Sequence, residues 1–94
     1  MTTYDVALPA STKLAVVTLS GQIDRDAMEP LNTAYERAIV DNPRSILLDF
    51  GDVDYINSTG IALIVGVLGR ARAEGRAVQA CGLTDHYAHI FEIT

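Results

Sequence analysis

The chain has 94 residues, 49% of them hydrophobic and 20% charged, which is the balance of one folded domain rather than a disordered segment. Twelve acids against seven bases give a net charge of −5. The bases form no stripe, so neither nucleic acid nor direct contact with an anionic membrane is expected.

The N-terminal stretch MTTYDVALPAS lacks the basic start and continuous apolar run of a secretory signal. The longest apolar run, GIALIVGVLG, is about half of what a bilayer requires. Both point to a cytoplasmic protein. The one cysteine, Cys81, has no internal partner and lies in an apolar run, so it reads as a buried thiol in a reducing compartment. With no Trp and only two Phe, the core has to be aliphatic.

Two extended runs open the chain. YDVAL breaks at Pro9 and Ser11, and the β-branched KLAVVTLSG ends at Gly21, so the pair predicts a hairpin. In RDAMEPLNTAYERAIVDNP, Met28, Leu31, Tyr35 and Ala38 recur at helical spacing and predict the inward stripe of a first helix. Asp26 as cap or Pro30 in the first turn marks its start, and Asn42-Pro43 its end. SILLDF predicts a short buried strand closed by Gly51-Asp52, after which GDVDYINS is a connecting turn.

A second helix follows from about Thr59 to Glu74, stopping at Gly75 in a left-handed cap. RAVQACGL predicts another core strand. TDHYAHIFEIT predicts a short helix capped by Thr84 or Asp85, with Tyr87, Ile90 and Phe91 inward. The order is an α/β fold: a mixed open sheet beginning with a hairpin, about four strands and three helices, the later strands parallel and the helices mainly on one face.

The second helix has three stripes. Ile61, Ile64, Val65, Leu68 and Ala71 form the expected core face. Leu63 and Val67 precede Arg70 and Glu74 on another. The third, Ala62, Gly66, Gly69 and Ala73, is made of small residues only. Two glycines inside a helix cost roughly 1 kcal/mol each relative to alanine. Close approach by a neighbouring element, or by a partner protein, would offset that cost.

At the mouth of this helix stand Asn57, Ser58 and Thr59, all good N-caps, although one cap suffices. A spare hydroxyl at a helix N-terminus can carry a phosphate, stabilised there by the free amides and the helix dipole. Such a group adds about −1.5 to −2 charges beside the small-residue stripe and would repel a docked partner. Other chemistry is less well marked. Ser58 lies in no glycine-flanked nucleophile elbow, so a triad with His86 or His89 is a minor reading. His86 and His89 stand three apart without a third metal ligand, and Asp49, Asp52 and Asp54 read as a solvated turn. No metal, cofactor or catalytic residue is expected.

Taken together, LSGQIDRDAMEPL, ILLDFGDVDYINSTGIALIVGVLGRARAEGRAV and IFEIT resemble, in matching order, the STAS-domain anti-sigma factor antagonists of bacteria. The resemblance implies a non-enzymatic switch protein that, when unphosphorylated, binds an anti-sigma factor serine kinase and so frees a sigma factor for transcription. The kinase phosphorylates one serine at the start of the second helix, and a phosphatase reverses this. By position the acceptor is Ser58, with Thr59 second, surrounded by Asp24, Asn57 and Gly60. The partner surface would comprise Ile56, Thr59, Ala62, Leu63, Gly66 and Gly69. Two departures stand out: the family usually carries aspartate where this chain has Asn57, and members commonly continue through a further strand and helix. Residues 1–94 therefore read as a single STAS-like domain that lacks the family's C-terminal strand and helix. The resemblance also leaves open an unphosphorylated scaffold or subunit domain, as in stress-sensing or lipid-transport assemblies.

Overall fold

The structure is a computed structural model, and it describes residues 4–7 and 13–92. The expected hairpin loop around Pro9 and Ser11, and the last residues of IFEIT, lie outside the described residues. Four strands form one sheet in the order β1 (Asp5–Ala7), β2 (Leu14–Ile23), β3 (Ser45–Ile56) and β4 (Ala77–Cys81). The first pair is antiparallel and the other two are parallel. The parallel links run through α1 (Met28–Ala38) and α2 (Ser58–Ala73), and α3 (Asp85–Glu92) follows β4. The fold is the expected mixed α/β sheet.

One face of the sheet carries the core. Ala15, Val17 and Leu19 of β2 and Ile46, Leu48 and Phe50 of β3 are buried, while the residues between them stay half-exposed, the period-two signature of a sheet covered on one side. Against it α1 turns Leu31, Ala34, Tyr35 and Ala38, and α2 turns Gly60, Ile64, Val67 and Ala71. Burying a side chain such as Ile64 contributes roughly 1.5–3 kcal/mol.

Several expectations are corrected. Both β2 and β3 run past the glycines that were expected to end them. They stay paired as far as Ile23 and Ile56, with register shifts between Thr18 and Ser20 and between Gly21 and Gln22, where β3 takes up extra residues. Asp52 and Asp54 therefore belong to a strand, not to a turn. Met28, the first residue of α1 after the 3-10 turn Arg25–Ala27, is 52% exposed, while Leu31, Tyr35 and Ala38 are buried as expected and Ala34 joins them. The helix ends at Ala38, ahead of Asn42 and Pro43. In α2 the fully buried stripe includes Gly60 and Val67, whereas Ile61, Val65 and Leu68 are only half-buried. β4 is an edge strand, mostly exposed, and the Cys81 thiol is exposed rather than buried.

The C-terminal cap of α2 and part of the inward face of α3 are as expected. Gly75 follows α2 with φ +78°, the left-handed conformation expected of a helix-ending glycine. Of the three α3 residues expected inward, Tyr87 and Phe91 pack against the core, whereas Ile90, half-buried, is not among the described residues packed on it. No helix among the described residues is long and apolar enough to cross a membrane.

Candidate functional site

Parallel strands end on one side of the sheet, and β2 and β3 bring Ile23 and Ile56 together there. From that edge the chain enters α2. Asn57 has extended backbone (φ −88°, ψ −178°) and its side-chain Oδ1 accepts the Gly60 N–H at 2.8 Å, while its carbonyl accepts the Ile61 N–H at 2.9 Å. Asn57 is thus the cap, and its amide oxygen does what an aspartate would do there without the charge. Ser58 and Thr59 are left over. Both are exposed, and neither hydroxyl has a hydrogen-bond partner among the described residues. Their own amides occupy the first two helical positions, which the cap does not reach.

Gly60 is fixed by contact. A Cβ at this position would lie 1.9 Å from the Ile23 carbonyl oxygen and 2.6 Å from its carbon. The same carbonyl accepts the Asn57 N–H at 3.2 Å. The start of α2 therefore rests directly on the backbone at the end of β2, and the residue that follows β2 is Asp24. This carboxylate caps the 3-10 turn, accepting the Asp26 N–H at 2.9 Å. Its charge, after burial, is the second cause that pushes the Tyr4 phenol up. Asp24, Asn57, Ser58, Thr59 and Gly60 are thus brought to one corner by two strand ends and one helix start. Ile56 is buried beneath them rather than offered at the surface.

Along α2 the small-residue stripe is open. Ala62, Gly66, Gly69 and Ala73 are exposed, and a Cβ on Gly66 or Gly69 would meet nothing within 4 Å. Close packing inside the domain does not account for these two glycines. Leu63 is half-buried and, with Gly66 and Val67, lines one wall of a groove of about 260 Å³ whose other wall is Met28, Asn32 and Tyr35 of α1. The α1 wall could not be read from the sequence, because Met28 looked like core.

An ionic cluster closes the far end of that groove. Arg70 bonds Glu36 at 2.6 Å and Glu74 at 3.2 Å, with its guanidinium 4.5 Å from the centre of the Tyr35 ring. The Tyr35 hydroxyl donates to Glu74 at 2.7 Å, and Arg76 bonds the same carboxylate at 2.6 Å. Tyr35's hydrogen bond is the main cause that holds the Glu74 carboxyl below its ordinary range, with Arg70 and Arg76 adding to it. Burial first, and then this bond, push the Tyr35 phenol up.

The remaining candidates lie apart. His86 and His89 are exposed on α3, and Asp49 accepts the Gly51 N–H. No group of three or more His, Cys, Asp or Glu among the described residues is placed to hold a metal ion.

The family model described as "Mlab, STAS domain" matches residues 6–94. The chain belongs to the STAS-domain family. It is 28% identical over 82 residues to the anti-sigma-B factor antagonist of Staphylococcus aureus (strain NCTC 8325 / PS 47), an alignment covering 87% of this chain and 76% of that one. Its fold matches the Bacillus anti-sigma factor antagonist SpoIIAA, unphosphorylated, with a TM-score of 0.76 at 17% identity over 97% of this chain and 83% of that one. For phosphorylated SpoIIAA the TM-score is 0.73 at 18% identity, over 96% and 81%. It also matches the solved structure of Mglu, with a TM-score of 0.74 and 22% identity over 86% of this chain, which spans only 20% of the Mglu chain. The STAS fold of this chain thus occurs both as most of a small protein and as a minor part of a large one.

Proposed function

We propose that this STAS domain is an anti-sigma factor antagonist, a non-enzymatic cytoplasmic switch with Ser58 as its phosphoacceptor. The unmodified domain binds an anti-sigma factor serine kinase and frees the sigma factor. The kinase then phosphorylates Ser58 and releases the domain, and a phosphatase restores it. The observation that carries this reading is the division of labour in the turn: Asn57 alone caps α2, so the Ser58 hydroxyl is exposed and unengaged at the positive end of the helix. A phosphate there adds about −1.5 to −2 charges at the head of the open stripe formed by Ala62, Gly66 and Gly69. Desolvating that charge against a partner is costly, and release follows.

Incubation with the partner kinase and ATP, followed by intact-mass and fragment analysis, tests the acceptor. One phosphate on Ser58, none in Ser58→Ala, and loss of the complex in Ser58→Asp support the reading. Modification of Thr59 alone would transfer the role to the neighbouring residue.

Asn57 favours a second reading. With an amide where the family usually has a carboxylate, the turn lacks a charge that a kinase could recognise, and the domain would serve as a constitutive subunit of a stress-sensing or lipid-transport assembly. Equal binding of the partner by wild type, Ser58→Ala and Ser58→Asp selects this alternative.

A further inference from the structure

We propose that Tyr87, on α3, is a positioning residue that fixes the turn carrying Ser58; its functional meaning rests on the reading of Ser58 as phosphoacceptor. In a parallel ladder the amides of a strand point alternately to its two neighbours. The Asn57 N–H points towards β2, where it donates to the Ile23 carbonyl at 3.2 Å, so the Ile56 N–H points the other way. On that side β4 has already ended, its last register pair with β3 being Asp49 with Cys81. Ile56 is buried, and a buried amide without a partner is strongly disfavoured. The Tyr87 hydroxyl accepts it at 3.1 Å.

The hydroxyl comes from a braced helix. The Phe91 ring of α3 packs on Phe50 of β3 at 6.1 Å between centroids, and the His86 and Tyr87 rings lie 5.2 Å apart between centroids at 60°. Thr84 Oγ1 accepts the Tyr87 N–H at 3.4 Å at the start of the helix. The residues just before Ser58 are therefore held from both sides, by a β2 carbonyl and by a phenol from α3. Loss of the phenol frees the segment in which Asn57 must hold its capping geometry, and with it the position of Ser58 relative to the open amides of the first turn.

The test reads that position without a kinase. A thiol at the first position of a helix has a lowered pKa, because the open amides and the helix dipole favour the thiolate. The Ser58→Cys variant, in a Cys81→Ser background, is alkylated with iodoacetamide across a pH series. Adding Tyr87→Phe is expected to raise the midpoint of the pH–rate profile by about half a pH unit or more, towards the ordinary thiol value near 8.5. In the Tyr87→Phe single variant, hydrogen exchange at the Ile56 and Asn57 amides should quicken roughly tenfold or more, while the Val17 and Leu48 amides keep their rates. An unmoved midpoint, or exchange that quickens equally everywhere, overturns the proposal by reducing Tyr87 to ordinary packing. If the triple variant does not fold by circular dichroism, the exchange pattern of the single variant decides alone. Because neither readout involves phosphate, failure to phosphorylate Ser58 would remove the functional reading and leave the positioning result standing.

Discussion

Replacing Gly60 by alanine puts the contact between α2 and β2 to the test. The added Cβ would lie 1.9 Å from the Ile23 carbonyl oxygen, whereas an ordinary carbon–oxygen approach is about 3.3 Å or more, so helix and strand must part by over 1 Å. Two hydrogen bonds cross this junction or depend on it, Asn57 N–H to Ile23 at 3.2 Å and Gly60 N–H to Asn57 Oδ1 at 2.8 Å. Losing a buried partner costs about 1–3 kcal/mol for each bond. Alanine's better helix propensity returns about 1 kcal/mol. The expected net loss is about 1–5 kcal/mol, a sizeable part of the roughly 5–14 kcal/mol available to a domain of this size. Urea unfolding followed by circular dichroism measures it. Gly66→Ala and Gly69→Ala are the internal controls: with nothing within 4 Å of either Cβ, each should stabilise by about 0.5–1 kcal/mol. If Gly60→Ala matched them in raising the midpoint, the helix would not rest on the Ile23 carbonyl, and the placement of the turn would have to be abandoned.

Other perturbations address the cap, the cluster and the stripe. Asn57→Ala should cost about 1 kcal/mol in the same unfolding assay, while Asn57→Asp keeps the cap and the stability; equal losses from both would deny Asn57 the capping role. Glu74 has a folded-state pKa below its ordinary value of 4.5, so its contribution to stability is complete at neutral pH and declines as pH falls through that value towards the folded pKa. Glu74→Gln should therefore flatten the acid side of the stability profile below about pH 4.5, and an unchanged profile would count against the cluster. Gly66→Arg, on the open stripe, should leave the unfolding free energy within about 1 kcal/mol of wild type and abolish partner binding in calorimetry; intact binding would remove α2's small-residue face from the interface.

Much of the architecture could be read along the chain because local pattern and tertiary environment agree there. KLAVVT is rich in β-branched residues and SILLDF is a short apolar run bounded by turn residues, and both form strands, covered on one face. The pattern failed where the backbone departs from period two. The register shifts beside Ser20 and Gly21 let β3 absorb extra residues, so Asp52 and Asp54 resemble a turn in sequence while being strand in space. Met28 fits the helical stripe by spacing, yet as the first residue of α1 it lines the open groove instead of the core. Cys81 sits among apolar neighbours, yet an edge strand leaves it exposed.

The corner at the head of α2 was legible as a set of residue types but not as a set of roles. Three capping residues in a row announce a helix start, and geometry is needed to assign the cap to Asn57 and so free Ser58 and Thr59. The Ile23 carbonyl under Gly60 and the Tyr87 hydroxyl on Ile56 are contacts across 37 and 31 residues of chain, for which a single sequence carries no signal.

In the proposed switch Ser58 is a phosphoacceptor whose charge controls docking. The most direct measurement is calorimetric titration of the partner kinase with the wild-type domain before and after stoichiometric phosphorylation, with the site assigned by fragment mass. A phosphate on Ser58 and binding weakened by roughly a hundredfold or more are expected, the order of a few kcal/mol that a desolvated charge costs. Undiminished affinity of the Ser58-phosphorylated domain would contradict it.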